Sequence, residues 1–412
     1  MSATTIVRAG AAVLALHVID DTIVQPPAGT PATDHLISAA VPVALIGLAA
    51  WAYPRLRGTA RGALAIVLGL IALAVGGEAW HYTTTVGPSG DDFTGLLTLA
   101  AGPVLVGTGA VTLWRTRRTE GNHVWRYGRR ALLGVAAFVG FSVVLFPLAL
   151  AYVTTHTARS VVPDNELGAA TEDVRFTTSD GLELRGWYVP SRNGAAVISF
   201  PGRKGTQRQA RMLARHGYGV LLFDRRGEGR SEGEPNSWGW SGDRDVFAAI
   251  DWLQHRPDVD PHRIGGIGLS VGGEMMLEAA AKDRRLAAVV SEGAGARAYA
   301  DAVDIPGSDP VGRGLGVIAS AVKTGAVSVF ANQTPPHHLE TYVGRIAPRP
   351  LMLIAAPNSG HGEELNRRYE RAAGEPTTLW EIPEASHMGG MSSRPAEYER
   401  RVVGFFDRAL RP

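Results

Sequence analysis

Residues 263–273 have the sequence RIGGIGLSVGG, which ends in a G-x-S-x-G motif centred on Ser270. The apolar residues before the motif predict a buried strand over Arg263–Leu269, and the residues after it predict a helix over Val271–Lys282. Between a strand and a helix, this motif holds its serine on a tight, strained turn with the hydroxyl exposed. Glycines two residues before and after the serine remove side chains that would collide at the turn. Ser270 is therefore the candidate nucleophile.

Strand and helix patterns alternate through the rest of residues 171–412, after a polar linker over 156–170. Such alternation predicts an α/β fold with a mostly parallel sheet covered by helices on both faces. The turn residues Ser179-Asp180-Gly181 join the first two strands as a hairpin. The other predicted strands are Val174–Thr178, Leu182–Val189, Ala195–Phe200, Gly219–Asp224, Leu286–Ser291, Pro350–Ala355 and Thr377–Ile382, and the other predicted helices are Gln207–His216, Asp243–His255, Glu363–Ala373 and Pro395–Leu410.

A nucleophilic serine needs a general base, and the base needs an acid that orients it. His387 follows the last predicted strand and is the candidate base. The acid should follow the strand before that one, where the loop contains no Asp. Glu363 is the first choice, Glu364 the second, and Glu292 at the end of an earlier strand the third. The helix dipole alone also favours a glutamate in the first turn of a helix, so the choice of acid stays open.

The intermediate of such a reaction carries an oxyanion, which two backbone N–H groups must stabilise. One of them is expected from Val271, directly after the serine. The other is expected from the loop Phe200-Pro201-Gly202-Arg203, in which the N–H of Arg203 is the candidate donor.

These pieces together resemble the α/β-hydrolase superfamily over residues from about 172 to 410. The nearest branches are the dienelactone-hydrolase-like and prolyl-oligopeptidase-like serine hydrolases. The segment Asp224–Gly233, with the sequence DRRGEGRSEG, is similar to the D-x-R-G-x-G-x-S segment of many members. Two features depart from the pattern, since Pro201 stands where a His is usual and no Asp follows the seventh strand. The resemblance implies an α/β-hydrolase fold and a Ser-His-acid triad, and we expect no cofactor.

Other residues are candidates for the substrate pocket and its cover. Trp238 and Trp240 could line an acyl or aromatic pocket together with Met388, or the tryptophans could simply pack inside the protein. Residues 294–345 form a Gly-, Ala- and Pro-rich insert that we expect to cover the site as a lid. The arginines that we expect to brace a neighbouring loop, with binding of a substrate carboxylate as the alternative, are Arg225, Arg226 and Arg230.

The first 155 residues have a different composition, with 10 Arg and 7 Asp or Glu, whereas the remaining residues contain 63 charged side chains. Four segments lack any charge over a length close to the roughly 20 residues that cross a bilayer. A fifth segment, Thr4–Ile19, carries Arg8 and His17. Residues 1–155 are therefore predicted to form an all-α transmembrane bundle of four or five helices. The four uncharged segments are Leu36–Tyr53, Gly62–Gly77, Phe93–Trp114 and Ala131–Val153.

Arginine is concentrated in two loops of this part, Pro54–Arg61 and Arg115–Arg130, whereas His81–Asp92 contains neither Lys nor Arg. By the positive-inside rule, the two arginine-rich loops are cytoplasmic. The segment Ala131–Val153 then runs outward. We therefore expect an integral protein of the cytoplasmic membrane whose α/β domain lies outside the cytoplasm.

Ionisable residues cluster near the expected outer face of the bundle. His17, Asp20 and Asp21 lie at i, i+3 and i+4 of one helix, and Glu78 and His81 share the i, i+3 spacing on another. A metal or proton site is one interpretation, because ionisable groups within a membrane are often functional. Interhelical hydrogen bonding is the interpretation that we favour, and we predict no metal.

The composition excludes some classes of function. The chain has no Cys, which excludes a thiol nucleophile, and its net charge of +2 argues against a nucleic-acid partner. The leading hypothesis is a membrane-anchored serine hydrolase that cleaves a small-molecule or lipid-like acyl compound through an acyl-enzyme, with the lipid bilayer as its other partner. The alternatives are a serine peptidase or aminopeptidase, an acyltransferase of the cell envelope, and a membrane sensor or transporter with an inactive hydrolase-like domain.

Overall fold

The structure is a computed structural model of the chain. It describes all residues except 27–30, 86–87, 89, 91, 117–122, 158, 298, 304–309 and 411–412. Four charged residues of the predicted membrane loops, Asp91, Arg117, Arg118 and Glu120, thus lie outside the described residues. The chain divides into two compact units, of which the helical unit comprises Met1–Val153 with Ala326–Asn332, and the α/β unit comprises Thr154–Gly325 with Gln333–Pro412.

The helical unit contains five helical segments that are long and apolar enough to cross a membrane. The first covers 22 residues, so the predicted fifth segment, Thr4–Ile19, also qualifies by length and hydropathy although it carries Arg8 and His17. The helices are α1 (Ala3–Ile19), α2 (Leu36–Ala52), α3 (Gly58–Thr85), α4 (Asp92–Arg115), α5 (His123–Gly140) and α6 (Phe146–Thr155), and a single π-helical turn, Phe141–Leu145, connects the last two into one segment.

Helices α3 and α4 pack closely because glycines face each other at their contact. A Cβ atom on Gly69 would lie 2.8 Å from the carbonyl oxygen of Gly102, and one on Gly109 would lie 2.5 Å from that of Gly62. On each helix these glycines are seven residues apart, so they recur on the same face after two turns. Small residues that let backbones approach are typical of helix pairs within membranes, where apolar burial supplies no driving force between helices.

The α/β unit contains one sheet of eight strands in the order β1-β2-β4-β3-β5-β6-β7-β8. The first strand pairs antiparallel with the second, and the second with the fourth, whereas all other pairs are parallel. The predicted α/β class and the predicted strands are confirmed, with bounds that differ by at most two residues. The strands are β1 (Glu172–Thr177), β2 (Glu183–Val189), β3 (Ala196–Phe200), β4 (Gly219–Phe223), β5 (Ile264–Leu269), β6 (Ala288–Glu292), β7 (Leu351–Ala355) and β8 (Thr377–Glu381).

Helices cover both faces of this sheet, because the central strands are buried over their whole length and need apolar cover on each side. One face packs against residues such as Ile250, Leu277 and Tyr369, and the other against residues such as Leu213 and Phe406. The helices of the unit are α7 (Gln207–Arg215), α8 (Asp243–Gln254), α9 (Val271–Lys282), α10 (Tyr299–Ala302), α11 (Pro310–Phe330), α12 (Leu339–Val343), α13 (Asn366–Ala373), α14 (Gly390–Ser393) and α15 (Pro395–Ala409).

The register of the sheet brings the ends of several strands together. Leu269 at the end of β5 pairs with Glu292 at the end of β6, and Glu292 pairs with Ile354 near the end of β7. Phe200 at the end of β3 pairs with Gly268. The loops that leave these strands therefore meet at one edge of the sheet, where open α/β sheets bind their ligands.

The predicted domain bounds can be compared with these units. The first continuous segment of the helical unit ends at Val153, and the described residues from His156 to Thr171 have no helix or strand. The predicted lid, residues 294–345, contains α10, α11 and α12. Its residues Ala326–Asn332, at and beyond the end of α11, are grouped with the helical unit, where the ring of Phe330 packs edge-on against Tyr152.

Candidate active site

Ser270 occupies the turn between β5 and α9 in a strained backbone conformation, with φ 52° and ψ −126°. A positive φ is unfavourable for a residue with a Cβ atom and is maintained only where surrounding contacts enforce it. One such contact is the hydrogen bond that the N–H of Ser270 donates to the carbonyl oxygen of Glu292, at 2.7 Å. The turn expected from the motif is therefore present, and it lies beside the end of β6.

The two glycines of the motif allow close backbone contacts at this turn. A Cβ atom on Gly268 would overlap with the carbonyl group of Gly272. A Cβ atom on Gly272 would lie 2.8 Å from the carbonyl oxygen of Phe200 and 2.7 Å from Cδ of Pro201. Since real Cβ atoms do not approach other atoms so closely, a side chain at either position would displace the turn or the loop after β3.

His387 connects the serine to a carboxylate. Its Nε2 atom lies 2.8 Å from Oγ of Ser270, and its Nδ1 atom lies 2.7 Å from Oε1 of Glu363. The three side chains come from the turn after β5, the loop after β8 and the loop after β7. This is the arrangement in which a histidine removes the proton of a serine while a carboxylate orients the ring.

Glu363 is placed for this contact by its own hydrogen bonds. The side chain is 1% exposed, and its Oε2 atom accepts a hydrogen bond from the N–H of Ala356 at 2.7 Å. Its Oε1 atom, which faces His387, also accepts from the hydroxyl of Ser359 at 2.9 Å. The residue opens a short 3₁₀ turn after Gly362, which has φ 76°. The conformation of the loop thus directs a glutamate to the histidine.

The other two candidates for the acid have different surroundings. Glu292 is 2% exposed and accepts hydrogen bonds from the N–H of Gly390 at 2.9 Å and from the hydroxyl of Tyr398 at 2.6 Å. Burial raises the pKa of Glu292, against the opposing effect of these hydrogen bonds. Glu364 is half-buried and makes no hydrogen bond to His387 in the structure. Of the three, the structure brings Glu363 to the histidine.

The two N–H groups expected to bind the oxyanion differ in whether the protein already provides an acceptor for them. Val271 is the first residue of α9, where backbone N–H groups have no acceptor within the helix. The N–H of Arg203, by contrast, donates a hydrogen bond to Oδ1 of Asp224 at 3.1 Å, and the guanidinium of Arg203 forms an ion pair with the same carboxylate. The expectation that this N–H is free for an oxyanion is therefore wrong for this arrangement, because a buried aspartate at the end of β4 already binds it.

The predicted pocket residues occupy three different environments. Trp240 is 2% exposed and lies in the interior, as the packing alternative describes. Trp238 is half-buried, and its Nε1 atom donates a hydrogen bond to the hydroxyl of Thr154 at 2.9 Å. Met388 is 39% exposed and lines a small cavity together with Glu292 and Glu363. Two of the three side chains are thus accessible.

The arginines after β4 brace their loop. Arg225 forms an ion pair with Glu228, and Arg226 forms ion pairs with Asp180 and Asp245 at 2.8 and 2.7 Å. The carboxylates of the protein therefore already bind both guanidinium groups, which favours the structural interpretation over substrate binding.

Two neighbours of the triad are not among the residues that the sequence analysis predicts for the site. The imidazole of His361 stacks on that of His387, with ring centroids 4.4 Å apart and an angle of 11° between the planes. Glu274, in the first turn of α9, is buried and accepts a hydrogen bond from the N–H of Gly295 at 3.1 Å. Burial raises the pKa of Glu274 to about 7. A buried glutamate one turn after the serine is visible in the sequence, but only the structure shows that it faces inward.

Two residues of the ionisable cluster predicted in the helical unit are joined by hydrogen bonds. The hydroxyl of Thr94 accepts from Nδ1 of His17 at 3.0 Å and donates to Oδ2 of Asp20 at 2.7 Å. Among the residues that the structure describes, no group of three or more His, Asp or Glu side chains is placed to hold a metal ion. Of His17, Asp20, Asp21, Glu78 and His81, the structure thus links His17 and Asp20 through a threonine of α4.

Comparisons with known proteins agree with the fold of this unit. Residues 158–341 match the peptidase S15 family, described as X-Pro dipeptidyl-peptidase, and this range includes Ser270 but ends before Glu363 and His387. An esterase of Pyrococcus furiosus, Pf2001, has a similar structure with a TM-score of 0.50 and 23% identity, over 61% of this chain and 98% of that one. The α/β unit, hereafter the hydrolase unit, has the α/β-hydrolase fold.

Two sequence relatives extend this relationship. The α/β hydrolase unit is similar to the uncharacterized protein YfhR of Escherichia coli (strain K12), with 29% identity over 263 residues, which are 58% of this chain and 82% of the relative. It is also similar to the polyketide transferase grgF of a Penicillium species, with 39% identity over 134 residues, 29% of this chain and 43% of that protein. These comparisons support a hydrolase-type enzyme and leave the choice between ester, amide and transfer chemistry to experiment.

Proposed function

We propose that this protein is a membrane-anchored serine hydrolase that cleaves an ester or a related acyl compound. The observation that supports the proposal is the pair of hydrogen bonds that joins Ser270 to His387 and His387 to Glu363, at 2.8 and 2.7 Å. The backbone strain at Ser270 supports it further, because such strain is typical of a serine presented to a substrate.

The proposed reaction uses these groups in sequence. Oγ of Ser270 attacks the carbonyl carbon while its proton passes to Nε2 of His387, and the carboxylate of Glu363 stabilises the imidazolium that results. The N–H of Val271 donates to the oxyanion. His387 then gives the proton to the leaving oxygen, which departs and leaves the acyl group on Ser270. A water molecule, deprotonated by His387, attacks this ester, and the acid leaves as the proton returns to the serine.

A fluorophosphonate probe tests the nucleophile, because it reacts with activated serines. The purified full chain should be labelled at Ser270, and Ser270→Ala should abolish both labelling and hydrolysis of 4-nitrophenyl esters. Hydrolysis that persists in the alanine variant would contradict the proposal. A folded wild-type protein that neither reacts with the probe nor hydrolyses any ester would favour the inactive sensor or transporter instead.

A peptidase is the second candidate, because the family that matches residues 158–341 is described as an X-Pro dipeptidyl-peptidase. Against it, peptidases of related type use an additional domain or an acidic pair to hold the peptide N-terminus. The described residues form, besides the hydrolase unit, one further unit, which is the apolar helical one. Comparing kcat/KM for an ester and for an Xaa-Pro anilide distinguishes the two. Transfer to an acceptor alcohol, as the name of the polyketide transferase suggests for that relative, would yield an acylated acceptor in place of the free acid.

We further propose that the helical unit spans the cytoplasmic membrane and that the hydrolase unit lies outside the cytoplasm. Five apolar helical segments and the arginine-rich loops between them support this orientation. The chain has no Cys, so one introduced cysteine is the only target of a membrane-impermeant maleimide. In intact cells Arg400→Cys in the hydrolase unit should be labelled, and Arg57→Cys only after permeabilisation. The reverse pattern would overturn the orientation.

A further inference from the structure

Lys323, on the lid helix α11, is a partly buried ammonium group for which the structure provides no anionic partner. Its Nζ atom lies 3.8 Å from the centroid of the Trp238 ring, and among the described residues it makes neither a hydrogen bond nor an ion pair. Burial lowers the pKa of Lys323, and Glu274 nearby acts in the opposite direction. A half-buried ammonium without an acceptor from the protein leaves its three donors available to a ligand.

Lys282, one of the two other lysines of the chain, has a different environment. Its Nζ atom lies 2.8 Å from Oδ2 of Asp243 and 2.7 Å from Oε1 of Glu278. A lysine with two carboxylate partners on the same unit is structural. The contrast with Lys282 identifies Lys323 as a half-buried lysine whose charge the fold does not pair.

The loop that carries Trp238, the neighbour of Lys323, lies beside the turn of the nucleophile. Trp238 precedes Gly239, and a Cβ atom on Gly239 would be 2.5 Å from Cγ1 of Val271, the residue directly after Ser270. Glu274, which acts on Lys323 electrostatically, donates its backbone N–H to the carbonyl oxygen of Ser270 at 3.1 Å. The loop that bears the indole ring therefore borders the first turn of α9, next to the proposed acyl-enzyme.

Neighbouring charges do not neutralise Lys323. Arg297 forms an ion pair with Glu278 and donates to the carbonyl oxygens of Trp238 and Gly239, so this guanidinium holds the tryptophan loop in place. Glu274 already accepts the N–H of Gly295, and burial raises its pKa to about 7, which keeps it partly neutral at physiological pH. Near neutral pH, Glu274 therefore offsets the charge of Lys323 only in part.

We propose that Lys323 and Trp238 form a subsite for a carboxylate group on the acyl chain of the substrate. The proposal rests on the proposed hydrolase function and names its substrate class, which is esters of acids that carry a second, anionic group. The flat face of Trp238 packs along the apolar chain between the scissile carbonyl and the carboxylate, and the ammonium of Lys323 binds the carboxylate.

Two esters of equal chain length test this subsite, mono(4-nitrophenyl) adipate and 4-nitrophenyl hexanoate, which differ in the distal carboxylate. We expect the wild-type protein to have a kcat/KM about tenfold or more higher for the adipate, since one charged hydrogen bond changes binding by roughly 10- to 100-fold. Lys323→Gln should abolish this preference by lowering the rate on the adipate alone, and Lys323→Arg should retain part of it. Lys282→Gln is the matched control and should leave the ratio of the two rates unchanged.

Two results would overturn the subsite. One is a wild-type protein that hydrolyses both esters without preference, and the other is a Lys323→Gln variant that loses both activities equally, as a structural lysine would. Each leaves the proposed hydrolase function intact. Failure to hydrolyse either ester, together with the absence of fluorophosphonate labelling at Ser270, would overturn the hydrolase function and the subsite with it.

Discussion

In both units of this protein, glycines let backbone segments approach each other closely. The close contacts are spread along two helices in one unit and concentrated at a single turn in the other. In the helical unit, glycines seven residues apart on α3 and α4 face each other, so that the contact is spread over several turns. In the hydrolase unit, Gly268 and Gly272 concentrate the contact at a single turn that carries the candidate nucleophile. A distributed contact determines how firmly two helices pack, whereas a concentrated one determines where a single reactive atom lies.

The units differ in buried charge as well. The hydrolase unit buries Glu292, Glu363 and Glu274 and supplies each with hydrogen-bond donors from the backbone or side chains. The helical unit has few charges to bury and exposes large apolar side chains such as Leu45 and Phe138. Substitutions in the hydrolase unit should therefore mainly change the chemistry of the site, whereas those in the helical unit should mainly change the packing of helices.

The largest effect is expected from Gly268→Ala. The new methyl group would overlap with the carbonyl group of Gly272, which belongs to rigid backbone, so the turn that holds Ser270 must move. Hydrolysis of 4-nitrophenyl esters should fall by more than about 1,000-fold, since a shift of roughly 1 Å at a reacting atom already costs about 100-fold. Gly314→Ala on α11, where nothing lies within 4 Å of the added Cβ atom, is the control and should retain activity. Normal activity of the first variant would mean that the turn is not as tight as described.

The next effect separates the three candidate acids. Glu363→Gln should lower kcat by about 1,000- to 10,000-fold, because the amide carries no charge to stabilise the imidazolium of His387. Glu364→Gln should change it less than threefold, since this side chain makes no hydrogen bond to the histidine. Glu292→Gln should change kcat less than about tenfold but lower the Tm, because an amide cannot accept hydrogen bonds from both Gly390 and Tyr398 at its two ends. A loss of kcat in Glu292→Gln as large as that in Glu363→Gln would make Glu292 a partner of the histidine.

The sequence predicted the candidate nucleophile and base because both follow from local pattern and chain order. Ser270 lies in a short motif between a strand and a helix, and His387 follows the last strand. For the acid, the sequence indicates the residue type, a glutamate, but leaves three candidate positions. Only the conformation of the loop after β7, with Gly362 in the left-handed region and Ser359 and Ala356 as donors, brings Glu363 to the histidine.

The features of the site that the sequence does not predict share one physical cause, which is contact between residues distant in sequence. The N–H of Arg203 is bound by Asp224, 21 residues away, and no pattern within the loop after β3 predicts this. Trp238 is adjacent to Lys323, 85 residues later in the chain, because the fold brings α11 back to the loop that carries Trp238. Secondary structure follows from local periodicity, whereas the polar partners of a site follow from the tertiary fold.

A smaller effect concerns the pH dependence of stability. Burial raises the pKa of Glu274 from 4.5 to about 7, against the effects of Arg297 and His387, whereas Asp301 acts in the same direction as burial. The folded protein therefore holds this proton more tightly than the unfolded chain, so the contribution to stability is greatest below pH 4.5 and decreases as the pH rises to 7. Glu274→Gln keeps an oxygen for the N–H of Gly295 and cannot ionise. Between pH 5 and pH 8 the wild-type protein should lose on the order of 3 kcal/mol relative to this variant, measured by thermal unfolding. Parallel curves for the two proteins would contradict a buried, titrating Glu274.

The smallest effect tests the distributed contact of the helical unit. Gly69→Ala places a methyl group 2.8 Å from the carbonyl oxygen of Gly102, and the resulting overpacking should destabilise the detergent-solubilised protein by about 1–3 kcal/mol. Gly77→Ala on the same helix has nothing within 4 Å of its added Cβ atom, and the gain in helix propensity should stabilise it by up to about 1 kcal/mol. The two substitutions are chemically identical and lie on one helix, so opposite signs in Tm can arise only from the contact with α4. Equal shifts would mean that this glycine face does not pack as described, and an effect on ester hydrolysis as large as that of Gly268→Ala would mean that the helical unit positions the nucleophile too.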